Sequence, residues 1–425
     1  MLIGVALNFP SEIAGLKEPP KTPVLYIKPE NTLTSHLSPV LHPDGAPAIQ
    51  PGPALAVVIA RRARRVARKD AFDYIKGYTL FNDFSLRETS HFRPPVRSKG
   101  YDSFGPLGPA MIAKDELPDP HAVALRCRVN GEIRQEGTMR ELIWKIPDLL
   151  SFITSFLTLE EGDVLATGVP PGRVDVVAGD SVTVEADGFP SLTSLVVTER
   201  EYRGSGAVLP PPRQTTILAL GLNYRDHASE LAFQAPEEPL LFLKSPGSLT
   251  GHNQISCRPD GVEMMHFEGE LVVVIGKTAS RVKRSEAMDY VSGYTIANDY
   301  AVRDYLENYY RPNLRVKSRD GLTPLGPRVI EKKHVTDPHA LEIRTFVNGE
   351  LRQQGNTRDM VFDIPFLLEY VTSFMTLRPS DMISTGTPKG VSNVAVGDEV
   401  VVEIEGLGRL SNRIVSEAEW RRLRD

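Results

Sequence analysis

Cysteine is scarce: Cys127 and Cys257 are the only two in 425 residues. Neither a disulfide framework nor a thiolate zinc cluster is expected, and a reducing compartment is the natural setting. A basic excess is missing too. With 49 Lys and Arg against 54 Asp and Glu, the net charge is −5, which argues against a general binder of nucleic acid or other polyanions. No apolar run approaches the roughly 18 residues of a membrane helix. The opening stretch Met1–Asn8 is too short, and lacks the basic flank, for a signal peptide. A cytoplasmic protein without membrane or nucleic-acid partners is expected. There is no G-x-S-x-G elbow and no dinucleotide fingerprint, so a serine hydrolase or a Rossmann oxidoreductase is unsupported. What is present is 41% hydrophobic and 24% charged residues, a globular balance. The 33 Gly and 34 Pro point to many turns and short strands.

The sequence repeats itself. Gly77-Tyr-Thr-Leu-Phe-Asn-Asp83 returns as Gly293-Tyr-Thr-Ile-Ala-Asn-Asp299, a shift of 216. Val129–Gly137 returns as Val347–Gly355, and Thr167-Gly-Val-Pro-Pro-Gly172 as Thr385-Gly-Thr-Pro-Lys-Gly390, both at 218. The two extra residues fall between Asp83 and Phe92, where the second half carries a longer Arg303–Tyr310 segment. A period above 200 residues is a duplicated domain rather than a solenoid unit. Breaker-rich Gly204-Ser-Gly-Ala and Pro210-Pro-Pro-Arg place a linker at 204–214, between repeats at 1–203 and 215–425. Leu240–Leu243, Leu271–Ile275, Leu341–Val347 and Glu399–Ile404 read as strands. Apolar residues near a 3.6 period predict one helix over Asp359–Thr376, with Pro365 in its early turns. The fold class is α+β and β-rich.

Candidate chemistry gathers in the second repeat. Glu268 and Glu270 lead into Leu271–Ile275, and carboxylates two apart on a strand share a face. Such a pair repels unless a cation or a proton resolves it. With Asp299 they form an oxygen-only set suited to a hard divalent ion. Taken alone, Glu-x-Glu is more often a pair of solvated edge charges. The first repeat supplies the control: Gly52 stands for Glu268 and Ala54 for Glu270, while the strand and Asp83 persist. The fold does not need the two glutamates. His227 and Glu230, three apart, would share a helical face as a proton-transfer dyad, although such pairs are common on plain surfaces. Glu12 and Gly15 replace them in the first repeat, so dyad and glutamates are lost together. Lys244, Arg303 and Lys317 match Lys28, Arg87 and Lys99. They read either as substrate-carboxylate partners or as structural ion pairs. The Thr385–Gly390 turn offers hydroxyls and backbone N–H groups to a pocket, but lacks the Gly-Lys-Ser/Thr ending of a P-loop.

In order, the second repeat carries Gly-x-Asn-Tyr-x-x-His-Ala-x-Glu at 221–230, Glu-x-Glu-Leu at 268–271 and Gly-Tyr-Thr-x-x-Asn-Asp-x-x-x-Arg-Asp at 293–304. Lys-Ser-x-Asp at 317–320 and Thr-Gly-Thr-Pro-x-Gly at 385–390 complete the set. The series resembles the fumarylacetoacetate hydrolase family, and the first repeat resembles it in degenerate form. The resemblance implies tandem fumarylacetoacetase-like mixed β-roll domains. It also implies Mg²⁺ (or Mn²⁺) held by Glu268, Glu270 and Asp299, with His227 and Glu230 as acid/base and Lys317 as a catalytic cation. Arg303 and Thr387 are carried over as substrate-binding residues, and Lys244 is placed with them on its charge, a structural ion pair being the even alternative.

The asymmetric fused pair is similar to family members that decarboxylate 5-oxopent-3-ene-1,2,5-tricarboxylate and isomerise the product in aromatic catabolism. An acylpyruvate-type C–C hydrolase is the alternative, and a non-catalytic binding protein on this fold the third reading. The implied partner is a small di- or tricarboxylate, on a monomer of pseudo-dimeric repeats or a higher homo-oligomer.

Overall fold

The computed structural model describes residues 1–204, 214–226 and 236–424. The chain divides into two compact units, Met1–Gln214 with Asn308–Tyr310, and Thr215–Glu307 with Arg311–Asp425. The tripeptide 308–310 belongs to the longer segment of the second repeat, yet clusters with the first unit. Within that unit the Tyr310 ring meets Tyr26 edge-on at 5.9 Å, and its hydroxyl donates to Glu88 at 2.9 Å. Most of the linker at 204–214 lies outside the described residues.

The second unit is built on a seven-stranded mixed sheet. Its spatial order is Leu240–Leu243, Ile217–Gly221, Met382–Ser384, Gly269–Ile275, Val291–Asn298, Thr323–Glu331 and Leu249–Gly251. All seven residues of Gly269–Ile275 are buried, as a nearly unbroken apolar run at the centre of a covered sheet requires. A five-stranded sheet runs Ile255–Arg258, Gly408–Ser416, Glu399–Ile404, Glu342–Val347 and Glu350–Asn356. Here the period-2 pattern is explicit: Val400, Val402 and Ile404 are buried while Glu399 is exposed. Val347, Val400 and Ile414 of this sheet pack with Met265, Phe267, Tyr300 and Leu322. Those last residues flank the acidic positions, so the core fixes the backbone from which the carboxylates project.

The first unit repeats both strand orders strand for strand. Pro53–Ile59 stands for Gly269–Ile275 and Val164–Ala166 for Met382–Ser384. Register is preserved as well: Ala56 pairs with Ala166 as Val272 pairs with Ser384.

The helix expected over Asp359–Thr376 is shorter, Ile364–Thr372. Asp363 caps it by accepting the Phe366 N–H, and Pro365 occupies its first turn, so the helix starts there. Upstream, Thr357–Asp359 is a single 3₁₀ turn. Met360 fits the helical period but lies outside the helix, buried and paired with Tyr224 in an isolated β-bridge. The Thr-Gly-x-Pro-x-Gly turns need left-handed backbone at both glycines, with φ +90° at Gly386 and +96° at Gly390. Among the described residues, no helix is long and apolar enough to cross a membrane.

Candidate metal centre

Two strand ends create the site. Glu268 and Glu270 straddle Gly269, where a Cβ would lie 2.6 Å from the Thr345 hydroxyl, so the sheet behind leaves no room for a side chain. Val291–Asn298 runs antiparallel beside this strand, with Gly269 opposite Asn298. The Glu268 N–H donates to Asn298 Oδ1 at 2.9 Å, and the Asp299 N–H to the Glu268 carbonyl at 2.8 Å. These contacts bring three carboxylates together, with one oxygen from each of Glu268, Glu270 and Asp299 within 4.8 Å of the others. They are 6%, 0% and 0% exposed.

Cations neutralise two of the three. Lys317 Nζ donates to Glu268 Oε2 at 2.7 Å and to Asp299 Oδ2 at 2.9 Å. Arg303 Nη2 donates to Glu268 Oε1 at 2.5 Å, and Lys244 Nζ to Asp299 Oδ1. Burial opposes the Lys317 charge, but Asp299 and Glu268 outweigh it and raise its pKa. For Lys244 burial prevails and lowers the pKa despite Asp299. Glu270 has no ion pair among the described residues. Burial, then the charges of Asp299 and Glu268, push its carboxyl up to about 8. Its Oε2 accepts from Ser384 Oγ at 2.5 Å and from the Gly386 N–H at 3.1 Å, while Oε1 has no hydrogen-bond partner.

A divalent cation fits this donor set. The ligands are hard oxygens, one buried carboxylate oxygen is orphaned, and like charges this close are expensive without a counter-charge.

The structure brings together six of the nine expected site residues. Lys244 has no exposed side-chain surface and is also committed to the Lys317 carbonyl at 2.7 Å, so it faces Asp299 rather than an open pocket. Arg303, at 17% exposure, is the most accessible of the three cations. Thr387 donates its hydroxyl to the Gly269 carbonyl at 3.0 Å and accepts from Gln353 Nε2 at 2.9 Å. His227 and Glu230 lie outside the described residues. The chain leading to them is pinned by Asn223, which donates to the Thr385 carbonyl at 2.8 Å and accepts from the Phe362 N–H at 2.9 Å. Ser384 and Gln353 carry no chemical signature in the sequence, whereas the Gly386 N–H belongs to the Thr385–Gly390 turn already read as lining a pocket. The one signal is the internal alignment, in which Ala166 stands for Ser384.

In the first unit the same positions are rebuilt. Asp83 is buried and binds Lys28 at 2.5 Å, Lys99 at 2.7 Å and the Tyr26 hydroxyl at 2.6 Å. Arg173, where the second repeat has Val391, donates to the carbonyls of Pro51 and Asp83 at 3.3 and 3.1 Å. A Cβ on Gly52 would sit 2.9 Å from that guanidinium and 2.5 Å from the Asp83 carbonyl. A side chain there would meet the Asp83 backbone first and would have to displace the Arg173 guanidinium.

The 4-hydroxyphenylacetate degradation bifunctional isomerase/decarboxylase of Escherichia coli is 50% identical to this chain over 427 aligned residues, covering 98% of each. The Salmonella dublin protein of the same description is 49% identical over 98% of each chain. Among solved structures, a 5-carboxymethyl-2-hydroxymuconate delta-isomerase from Mycobacterium smegmatis aligns at 33% identity, over 58% of this chain and 96% of its own, with a TM-score of 0.44. Residues 2–197 and 216–415 each match the family described as fumarylacetoacetate (FAA) hydrolase C-terminal, and the chain belongs to that family in both of its repeats.

Proposed function

We propose that this chain is a bifunctional decarboxylase and isomerase of 4-hydroxyphenylacetate (homoprotocatechuate) catabolism. It would decarboxylate 5-oxopent-3-ene-1,2,5-tricarboxylate and convert the resulting 2-hydroxyhepta-2,4-diene-1,7-dioate to 2-oxohept-3-ene-1,7-dioate. The observation that carries the reading is the near-half identity to a relative so described, sustained over 98% of both chains. The buried triad supports metal dependence, with Mg²⁺ the ion and Mn²⁺ its substitute. A cytoplasmic setting suits two buried free cysteines.

Charge arithmetic suits a polyanionic substrate. Three carboxylates face Lys244, Lys317 and Arg303, so a divalent ion leaves the cluster positive. When bound, the ion supplies Lewis-acid stabilisation of the negative charge that both loss of CO₂ and dienol isomerisation place on oxygen. Glu268, Glu270 and Asp299 would hold it. Arg303, the most exposed cation, would move from Glu268 to a substrate carboxylate, with Lys317 beside it. Lys244 would hold the Asp299 carboxylate in place rather than bind substrate. His227, with Glu230 tuning it, would relocate the proton between carbons. The two reactions then need one electrostatic site and one proton carrier.

The test is purified full-length chain with the tricarboxylate, following CO₂ release and loss of ultraviolet absorbance with Mg²⁺ and with excess EDTA. The expected result is metal-dependent release of one CO₂ per substrate. Pyruvate formation without CO₂ would instead make the chain a C–C hydrolase, and no turnover would leave a binding protein.

A further inference from the structure

Glu270 is held differently from its two partners. Glu268 and Asp299 are gripped by ammonium and guanidinium groups, whereas the hydrogen bonds to Glu270 come from the neutral Ser384 hydroxyl and Gly386 amide. Both donors converge on Oε2, and Oε1 is left without a partner. A cationic donor would neutralise the carboxylate. A neutral one fixes its rotation and leaves its charge available. Carboxylate ligands are commonly oriented in this way by hydrogen bonds from behind.

The duplication separates the hydroxyl's role from that of the backbone. In the first unit the strand register is unchanged, Ala56 opposite Ala166, and Gly168 keeps the left-handed turn with φ +124°. Only the side chains differ: Ala54 for Glu270 and Ala166 for Ser384. The strand is therefore built equally well with alanine, and the hydroxyl is present where the glutamate is. Tyr224 follows the same pattern. Its hydroxyl is fully buried, raised in pKa by burial and then by the charge of Glu270, and Phe9 replaces it in the first repeat.

We propose that Ser384 is a positioning residue for the metal centre: its hydroxyl pins Oε2 of Glu270 so that Oε1 points at the cation. The inference rests on the metal-dependent reading above. Its test is Mn²⁺ affinity of the full chain, measured by electron paramagnetic resonance on wild type, Ser384→Ala, Ser384→Thr and Glu270→Gln. Ser384→Ala should weaken Mn²⁺ binding about 10- to 100-fold. Its far-ultraviolet circular dichroism should be unchanged, because alanine is the native residue at the matching strand position 166. Ser384→Thr, which restores the hydroxyl, should bind more tightly than Ser384→Ala. If Ser384→Ala binds Mn²⁺ like wild type while Glu270→Gln does not, the positioning role is overturned and the metal centre stands. A threonine variant as weak as alanine also overturns it. Undiminished binding by Glu270→Gln would remove the metal centre itself, and the role of Ser384 with it.

Discussion

The two repeats share strand order, register, the Asn-Asp pair at 82–83 and 298–299, and two buried lysines, yet differ in how they balance charge. In the second, three carboxylates meet three cations in a cluster that could hold a metal ion. In the first, one carboxylate is already surrounded by three cations of the chain itself. Burial works against the charge on Asp83, but Lys28, Lys99 and Arg173 outweigh it and hold its carboxyl well below the ordinary range. The difference teaches that the scaffold and the site are separable. Lysine–aspartate pairing at the strand ends is common to both repeats and belongs to the fold. The glutamate pair and the Ser384 hydroxyl are found only in the second repeat, which has Val391 in place of Arg173. Arg173 adds positive charge beside Asp83, and its guanidinium and the Asp83 carbonyl both crowd the position of a Cβ on Gly52. Among the described residues, the acidic cluster that could hold a metal ion lies in the second repeat.

The largest effect that would break this comparison comes from the carboxylates. Glu268→Ala or Glu270→Ala should abolish Mg²⁺-dependent decarboxylation and leave the far-ultraviolet circular dichroism unchanged, since Gly52 and Ala54 show that the strand folds without them. Unchanged turnover in both variants at limiting Mg²⁺ would remove the distinction between the repeats.

Next comes the proposed proton carrier. His227→Ala should lower kcat by about 10²–10⁴-fold with little change in KM, and Glu230→Gln should cost less because it tunes rather than transfers. A change confined to KM would make His227 a binding group.

A smaller effect sharpens the contrast through pH. Without metal, the Glu270 carboxyl titrates at about 8 rather than at its ordinary 4.5, so the folded chain holds this proton more tightly than the unfolded one. The resulting stabilisation is complete below 4.5 and is lost as pH rises through about 8. The metal-free melting temperature should therefore fall between pH 6 and 9 in wild type and fall less in Glu270→Gln. Metal binding displaces the same proton, so apparent Mg²⁺ affinity should rise with pH, by up to about tenfold per unit, and level off near 8. A pH-independent affinity over that range would contradict a protonated Glu270.

Much of this architecture is legible in the sequence because a duplication carries its own control. A shift of 216 sets Glu268 against Gly52 and Glu270 against Ala54, and marks the acidic pair as dispensable for folding. Strand periodicity locates Glu399–Ile404 because alternate burial leaves a period-2 trace. Other features leave none. Met360 fits a helical period, yet its backbone pairs with Tyr224 in a bridge that no local window contains. Lys244 reads equally as a substrate partner or a structural ion pair until the sheet shows its ammonium aimed at Asp299. Ser384 is one serine beside a turn. Its meaning depends on a carboxylate 114 residues away.

The central claim, one metal site per chain and that one in the second repeat, is tested most directly by counting. Isothermal titration of Mg²⁺ or Mn²⁺ into metal-free full-length chain should give one site per polypeptide. Asp83→Asn should leave the count at one, and Glu270→Ala should bring it to zero. Two equivalent sites in the wild-type chain, or loss of a site in folded Asp83→Asn, would contradict the account.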